Sequence, residues 1–296
     1  MHKWIHIISY PTVIILLYFH TAVSGHSSLY YTVPPFIFYL VDSLFRTYRF
    51  ALPTISAAER FGTVTILTVK LNYQPKIAPG QWYNIFLVSR VESHPLSVVD
   101  VTLDLDGGST LIFAAGSRKT SLPKKLLKSK INVKLDGPYG NSFEGIYKNN
   151  IVVLFAGGIG ITPLLYILKH GVTNYKSTKF RLVVSTNDMN IVKAFEKSLL
   201  EVKKLGVEIV VNLTSLRKVE DEQIDLAEEA FLIPVVKSGR PNLKKIILTL
   251  KNEYPKENIS IGCCGPPKFC NNILNDSRNL SDKSCLVQVF SESFSY

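Results

Sequence analysis

Residues 156–163 read Ala156-Gly157-Gly158-Ile159-Gly160-Ile161-Thr162-Pro163. Glycines placed directly after a buried strand let the backbone close on a phosphate. Thr162 as N-cap and Pro163 at the first helical position would start a helix whose amides face that anion. The run departs from the G-x-G-x-x-G fingerprint, and taken alone it is also compatible with a structural turn. A second cluster, Cys263-Cys264-Gly265-Pro266-Pro267, follows another apolar run, at a strand end of the kind where open α/β sheets bind ligands, and Cys264 can offer a soft contact to a ring. In His94-Pro95-Leu96-Ser97 the proline holds His94 extended, and Ser97 carries a short hydroxyl able to bond a heterocycle. That tetrapeptide and Asp136-Gly137-Pro138-Tyr139-Gly140 each read as turns in isolation. The four cysteines, Cys263, Cys264, Cys270 and Cys285, lack the paired spacing of a zinc site and suit buried, reduced thiols.

The elements that must position these residues change character along the chain. Over residues 60–115 short alternating runs such as Thr63–Val69 and Trp82–Val88 are separated by turn signals at Ala78-Pro79-Gly80, Asp106-Gly107-Gly108 and Asp136-Gly137-Pro138. That pattern predicts a small antiparallel barrel or sandwich. From Ile151 onward, continuous apolar runs at Ile151–Ala156, Leu182–Val184, Val207–Val211 and Ile259–Cys263 alternate with helical patterns near 190–204 and 242–252, which predicts βαβ units and a parallel sheet. The mixed-charge stretch Arg217–Glu229 reads as a solvated insertion.

Charge divides the chain more sharply than length does. Of 296 residues, the first fifty contain four charged ones (Lys3, Asp42, Arg46, Arg49) and net +2, leaving +9 of the total +11 to the rest. A basic body suits nucleic acid, an anionic membrane face or anionic small molecules, and no nucleic-acid-binding motif is present. Trp4–Val23 is free of Asp, Glu, Lys and Arg, long enough at ~1.5 Å per residue to cross a ~30 Å hydrocarbon core; a second apolar run extends from about Ser28 to Phe45. Arg46 and Arg49 after it place the body on the cytosolic side. A secretory signal peptide ending at Ala22-Val23-Ser24 is the competing reading, and glycans on the sequons at Asn212, Asn258, Asn275 or Asn279 would revive it. His6 and His20 are fourteen residues apart, which puts both imidazoles on one helix face about 21 Å apart along the axis, a spacing suited to axial ligation of two haems. The harmless alternative places each ring at a wet interface.

In this order, the pieces resemble the ferredoxin-reductase-like flavoproteins, and more narrowly their membrane branch of ferric-chelate reductases and superoxide-generating NADPH oxidases. His94-Pro95-Leu96-Ser97 resembles the family's H-P-F-[TS] flavin element with Leu96 in place of Phe, and Thr120 matches its FAD pyrophosphate position, with Lys119 where a Trp is usual. Asp136–Gly140 matches the D-G-P-Y-G that closes the flavin domain. Gly157–Pro163 matches the dinucleotide loop, Gly239-Arg240-Pro241-Asn242 the late G-R-P-N segment, and Cys264-Gly265-Pro266 the C-G-P beside the nicotinamide. Tyr296, the last residue, matches the aromatic that covers the flavin ring, and His6-x13-His20 one haem-binding helix.

The resemblance implies a transmembrane hairpin over 1–50, an FAD-binding β-barrel over 51–148 and an α/β NAD(P)-binding domain over 149–296. It implies electrons passing from cytosolic NADPH or NADH through FAD and haem b to a ferric or cupric chelate across a plasma or internal membrane, with dioxygen as the alternative acceptor. Gly157, Gly158, Gly160 and Thr162 would hold the dinucleotide phosphates, and Cys264, with Gly265 and Pro266, would border the nicotinamide. His94, Pro95, Leu96, Ser97 and Thr120 would hold FAD, and Tyr296 would stack on its ring. The chain reads Val184-Ser185-Thr186-Asn187 where NADPH-preferring members often carry an Arg, so Arg240 is the candidate for a 2′-phosphate. One histidine pair cannot complete two bis-histidine haems, which implies a haem-bearing partner or a missing upstream segment. A non-catalytic, regulatory relic is the reading from another class.

Overall fold

Backbone polar groups in the interior must be paired, and this chain pairs them chiefly in two six-stranded sheets. The structure is a computed structural model; it describes residues 12–20, 23, 29–49, 54–87, 93–116, 133–214, 236–255, 257–281 and 285–293. The chain divides into two compact units, Met1–Ala51 and Leu52–Tyr296.

In the first unit residues 12–20 are helical, as is α1 (Leu29–Arg49), which contains Pro34 and Pro35. Among the described residues, fifteen large apolar side chains of this unit are exposed, against seven in the much longer second unit, so its helices leave their apolar surface largely uncovered. Among the described residues no helix is long and apolar enough to cross a membrane.

The first sheet of the second unit is antiparallel: β1 (Thr54–Phe61), β2 (Val64–Leu71), β3 (Trp82–Leu87), β4 (Ser93–Leu103), β5 (Ser109–Gly116) and β6 (Val133–Tyr139), ordered β1-β2-β5-β4-β3-β6. Its alternation sends Leu67 and Val69, Tyr83 and Ile85, Leu96 and Val98, Leu111 and Phe113, and Val133 and Leu135 into one cluster, so the sheet rolls around a single core. Asp136-Gly137-Pro138, expected as a turn, lies instead inside β6. That strand is a sheet edge, where a proline costs no ladder hydrogen bond, and the register with β3 shifts between Trp82 and Asn84.

The second sheet is parallel, ordered β10-β9-β8-β7-β11-β12. It comprises β7 (Ile151–Gly157), β8 (Lys179–Thr186), β9 (Glu208–Leu213), β10 (Val236–Ser238), β11 (Ile259–Gly265) and β12 (Val287–Ser293). β7 and β11 at its centre are buried along their whole length, as their unbroken apolar runs require. The helices are α2 (Ile161–Asn174), α3 (Met189–Ala194), α4 (Glu196–Lys204), α5 (Leu243–Glu253) and α6 (Pro267–Leu280). The helical pattern near 190–204 is thus two helices, broken at Phe195, whose ring is buried. β10, β12 and α6 were not legible in the pattern. A 3₁₀ turn, Glu144–Lys148, links the two sheets, and Val64, Val99 and Ala114 of the first share an apolar cluster with Ile161, Leu164 and Leu165 of α2.

Candidate functional site

β7 delivers the glycine loop to the carboxyl edge of the parallel sheet. Gly158 takes φ +58°, open to an L residue only with strain, and a Cβ there would meet nothing nearer than Ile191 at 3.9 Å, so its outer side is clear. Gly160 is the opposite case: a Cβ would lie 2.6 Å from the Cys264 carbonyl carbon. Gly157 likewise has Pro266 Cδ at 2.9 Å and Gly265 Cα at 3.3 Å from its ideal Cβ. The glycines at 157 and 160 therefore exist so that this loop can lie backbone to backbone against Cys264-Gly265-Pro266.

The N-cap of α2 is Gly160, with no side-chain cap. This corrects the expected role of Thr162, which lies in the second helical position because a 3₁₀ turn, Gly158–Gly160, starts the helix early; its hydroxyl donates to Ile159 O at 2.7 Å. Thr162 fastens the loop rather than capping the helix. α6, which follows β11, starts at Pro267 and is also without a side-chain cap. Two adjacent strands thus end in two helices without side-chain caps; in their first turns Ile161 N and Phe269 N already donate to backbone carbonyls, and Pro163 and Pro267 carry no N–H.

At the end of β11, Cys264 is fully buried, and burial, together with Glu292 and Cys270 nearby, pushes its thiol pKa well up, so it stays protonated. It can act as a neutral, polarizable wall and not as a nucleophile. Cys263 is also raised, first by its hydrogen bond with Cys270 and then by burial. All four cysteines are buried. β12 places Glu292 in register with Cys264. Glu292 Oε2 is buried without a hydrogen-bond partner, and burial raises the carboxyl to about 7. The sequence reading missed this residue; an acid at the end of the alternating run Val287-Gln288-Val289-Phe290 was the available signal.

β4 carries the other candidate segment. Ser93 opens the strand, and His94, Pro95, Leu96 and Ser97 pair with Ile85, Asn84, Tyr83 and Trp82 of β3. Leu96, expected among the flavin-holding side chains, turns into the barrel core beside Tyr83, as strand alternation demands of a residue two before Val98. Ser97, buried at 5% exposure, points to the opposite side of the sheet. Behind β3, the Tyr139 hydroxyl donates to Asp136 Oδ1 at 2.6 Å, and the Tyr139 ring lies 5.2 Å from that of Trp82.

Beyond β8, Asp188 caps α3, accepting from Asn190 N at 3.0 Å, and its carboxylate also accepts from the Thr63 hydroxyl of the antiparallel sheet. This acid at the end of the second strand, where a dinucleotide ribose is commonly read, was another residue missed, and here it serves cap and domain contact. Arg240 is exposed on the loop after β10, beside a groove lined by Pro241, Asn242, Leu243, Asn272, Asn275 and Asp276. The structure thus brings Gly157, Gly158, Gly160, Thr162, Cys264, Gly265 and Pro266 together, and places His94–Ser97 on the other sheet. His20 is exposed on the helical segment of the first unit, and His6, Thr120 and Tyr296 lie outside the described residues. Among the described residues no His, Cys, Asp or Glu group is arranged to hold a metal ion.

Residues 149–278 match the family model described as the ferric reductase NAD binding domain. Over 86% of its length the chain is 25% identical to the ferric/cupric reductase transmembrane component 2 of Saccharomyces cerevisiae, of which it covers 41%. It is 23% identical over 87% of its length to a superoxide-generating NADPH oxidase heavy chain of Dictyostelium discoideum, covering 43% of that protein. The chain therefore spans less than half the length of these curated relatives. Among solved structures, the flavohem-like FAD/NAD binding domain of nitric oxide dioxygenase from Vibrio cholerae O1 biovar El Tor superposes with a TM-score of 0.61 at 18% identity, covering 82% of this chain and all of that one. A ferredoxin NADP+ reductase from Neisseria gonorrhoeae with bound FAD and NADP gives 0.60 at 14% identity, over 83% and 98% of the two chains.

Proposed function

We propose that this chain, which belongs with the ferric-chelate reductases and NADPH oxidases on the ferredoxin-reductase-like fold, is the flavin reductase portion of a membrane oxidoreductase that passes electrons from NAD(P)H to a ferric or cupric chelate. The observation that carries the reading is the backbone-to-backbone meeting of Gly157–Gly160 with Cys264–Pro266 beneath two helix N-termini without side-chain caps. A chain with only a structural turn at 157–160 has no need for both.

Bound FAD would supply the redox chemistry, accepting a hydride from the nicotinamide and releasing electrons singly. The residues of the chain bind and orient. Gly158 leaves its outer face clear for a phosphate oxygen, and the positive dipole ends of α2 and α6 favour its negative charge. Cys264 presents a neutral thiol to the nicotinamide, with Gly265 and Pro266 shaping the approach. Glu292 beside it adds no charge to the ring contact while it is protonated. Ser97 would offer its hydroxyl to the flavin ring, with His94 and the β4 backbone alongside; Thr120 would hold the FAD pyrophosphate, and Tyr296 would cover the ring. Arg240 pairs bidentately with a 2′-phosphate and so favours NADPH. No proton-transfer step is assigned, because hydride transfer requires none.

The uncovered apolar surface of the first unit supports its burial in a bilayer, with Arg46 and Arg49 holding the body at the cytosolic face and His6 and His20 offered to haem b. Two bis-histidine haems would need further ligands besides this one histidine pair. Similarity to the yeast ferric/cupric reductase component supports metal chelates as acceptors, and similarity to the Dictyostelium oxidase heavy chain makes dioxygen the second reading. Ferrous-chelate formation and superoxide measured side by side in membranes containing the chain distinguish them. The reading predicts chelate reduction that superoxide dismutase does not inhibit; dismutase-sensitive reduction would transfer the assignment to the oxidases.

A further inference from the structure

The two half-sites lie on different sheets, and one short polar network ties the elements that carry them. Lys169 Nζ lies 2.6 Å from Asp100 Oδ2 and 2.7 Å from Glu201 Oε2. Asp100 belongs to β4, three residues beyond Ser97, and Lys169 to α2, the helix that begins at the glycine loop. Glu201 reaches the same ammonium from α4.

Each member is held in place by its own element. A bulge in β4, where Val98 pairs with Phe113 and Asp100 with Ile112, turns Asp100 toward the helix, and Asp100 Oδ1 accepts from Val101 N at 2.9 Å. One carboxylate oxygen is thereby anchored to the strand while the other takes the lysine. The Lys169 side chain is 13% exposed and that of Asp100 23%, so the pair is shielded from the screening that makes open surface pairs nearly worthless. One turn earlier on α2, the Tyr166 hydroxyl donates to Ile77 O at 3.1 Å, a second tie in the same direction.

Apolar contacts between Val99, Ala114 and α2 hold the domains together, and they are non-directional. A charged hydrogen bond fixes register. We propose that Lys169 is a positioning residue: through Asp100 it sets α2, and with it the dinucleotide loop, against the strand that presents Ser97, and so sets the approach of nicotinamide to flavin. The proposal rests on the assignment of the two half-sites above. A misplacement of about 1 Å between reacting groups can cost on the order of a hundredfold in rate, so a modest loss of register is measurable.

The test uses the full chain in detergent with FAD added, comparing wild type with Lys169→Met, Asp100→Asn, the double variant, Lys169→Arg and the reversal Asp100→Lys/Lys169→Asp. The measurements are the single-turnover rate of flavin bleaching by NADPH, the NADPH concentration at half-maximal rate, the long-wavelength absorbance of the flavin–nicotinamide complex, and thermal melting. Each single neutralisation should slow bleaching about tenfold and weaken the long-wavelength band, with the half-saturating NADPH within about twofold of wild type. The double variant should be no slower than either single one, and Lys169→Arg should restore most of the rate. Glu201→Gln, which leaves the interdomain bond in place, should have a smaller effect. If the variants lower the melting temperature while flavin-loaded protein bleaches at the wild-type rate with an unchanged band, the pair is only structural and the proposal is overturned. Wild-type chain that binds FAD but is not reduced by NADPH would overturn the functional reading itself, a separate outcome.

Discussion

Cys264 and Glu292 stand in register at the carboxyl ends of two adjacent parallel strands, a fully buried thiol beside a carboxylate with one oxygen buried and unbonded. Burial moves the two groups the same way: the thiol stays protonated, and the carboxyl, raised to about 7, is neutral below that pH. Under the proposed function, this end of β11 presents an uncharged ring with a neutral thiol and, below about pH 7, a neutral carboxyl.

The first prediction concerns pH. The Glu292 carboxyl sits at about 7 in the folded chain against 4.5 ordinarily, so the unfolded chain binds fewer protons between those values. Its stabilising contribution is complete below about pH 4.5 and is lost as pH rises through 7. Glu292→Gln should match wild type in melting temperature near pH 5 and exceed it at pH 8. Parallel melting curves at both pH values would place the carboxyl in water instead.

Gly158 and Gly160 should respond differently to the same methyl group. Gly160→Ala drives a Cβ into the Cys264 carbonyl and should destabilise the fold by about 1–3 kcal/mol, lowering melting temperature and dinucleotide binding together. Gly158→Ala meets open space and pays only for its positive φ, about 1 kcal/mol, yet under the proposed function it narrows the side of the loop offered to phosphate. NADPH titration of Gly158→Ala should show affinity reduced about tenfold, roughly 1.4 kcal/mol, on a protein that still melts cooperatively.

Arg240, exposed after β10, should discriminate between dinucleotides. Arg240→Ala is predicted to raise the NADPH concentration needed for half-maximal flavin reduction by about tenfold, the worth of a charge-assisted pair, while leaving NADH nearly unchanged. Equal losses for both would assign Arg240 to the shared pyrophosphate.

Much of this arrangement was readable in the sequence because glycine, proline and unbroken apolar runs report backbone constraints directly. β7 and β11 follow from buried runs that only a central parallel strand accommodates, and the loop after β7 from glycines that a close approach demands. What escaped were features set by tertiary partners. Thr162 carries the residue type of a cap, but the helix starts two residues earlier because Gly160 must lie flat against Cys264. Pro138 looks like a turn and is a strand residue because β6 happens to be an edge. Glu292 is one acid among many until β12 sets it beside Cys264, and Leu96 faces the barrel core through an alternation counted from its neighbours.

Topology is open to a chemical check. Of the four sequons, Asn212 is buried in β9 and cannot take a glycan on the folded chain, whereas Asn258, Asn275 and Asn279 are exposed. With the body in the cytosol all three stay bare, and mass spectrometry of the membrane-expressed chain should find no glycan on them. Occupancy at any of the three would place the body on the other side.

The most direct test of the central claim is anaerobic mixing of the FAD-supplemented chain with NADPH while absorbance is followed near the flavin maximum. The account predicts that the chain retains FAD through gel filtration and that NADPH bleaches it, with the Gly158→Ala variant requiring about tenfold more NADPH to do so. A chain that folds but retains no FAD, or retains FAD that NADPH and NADH leave oxidised, would contradict it.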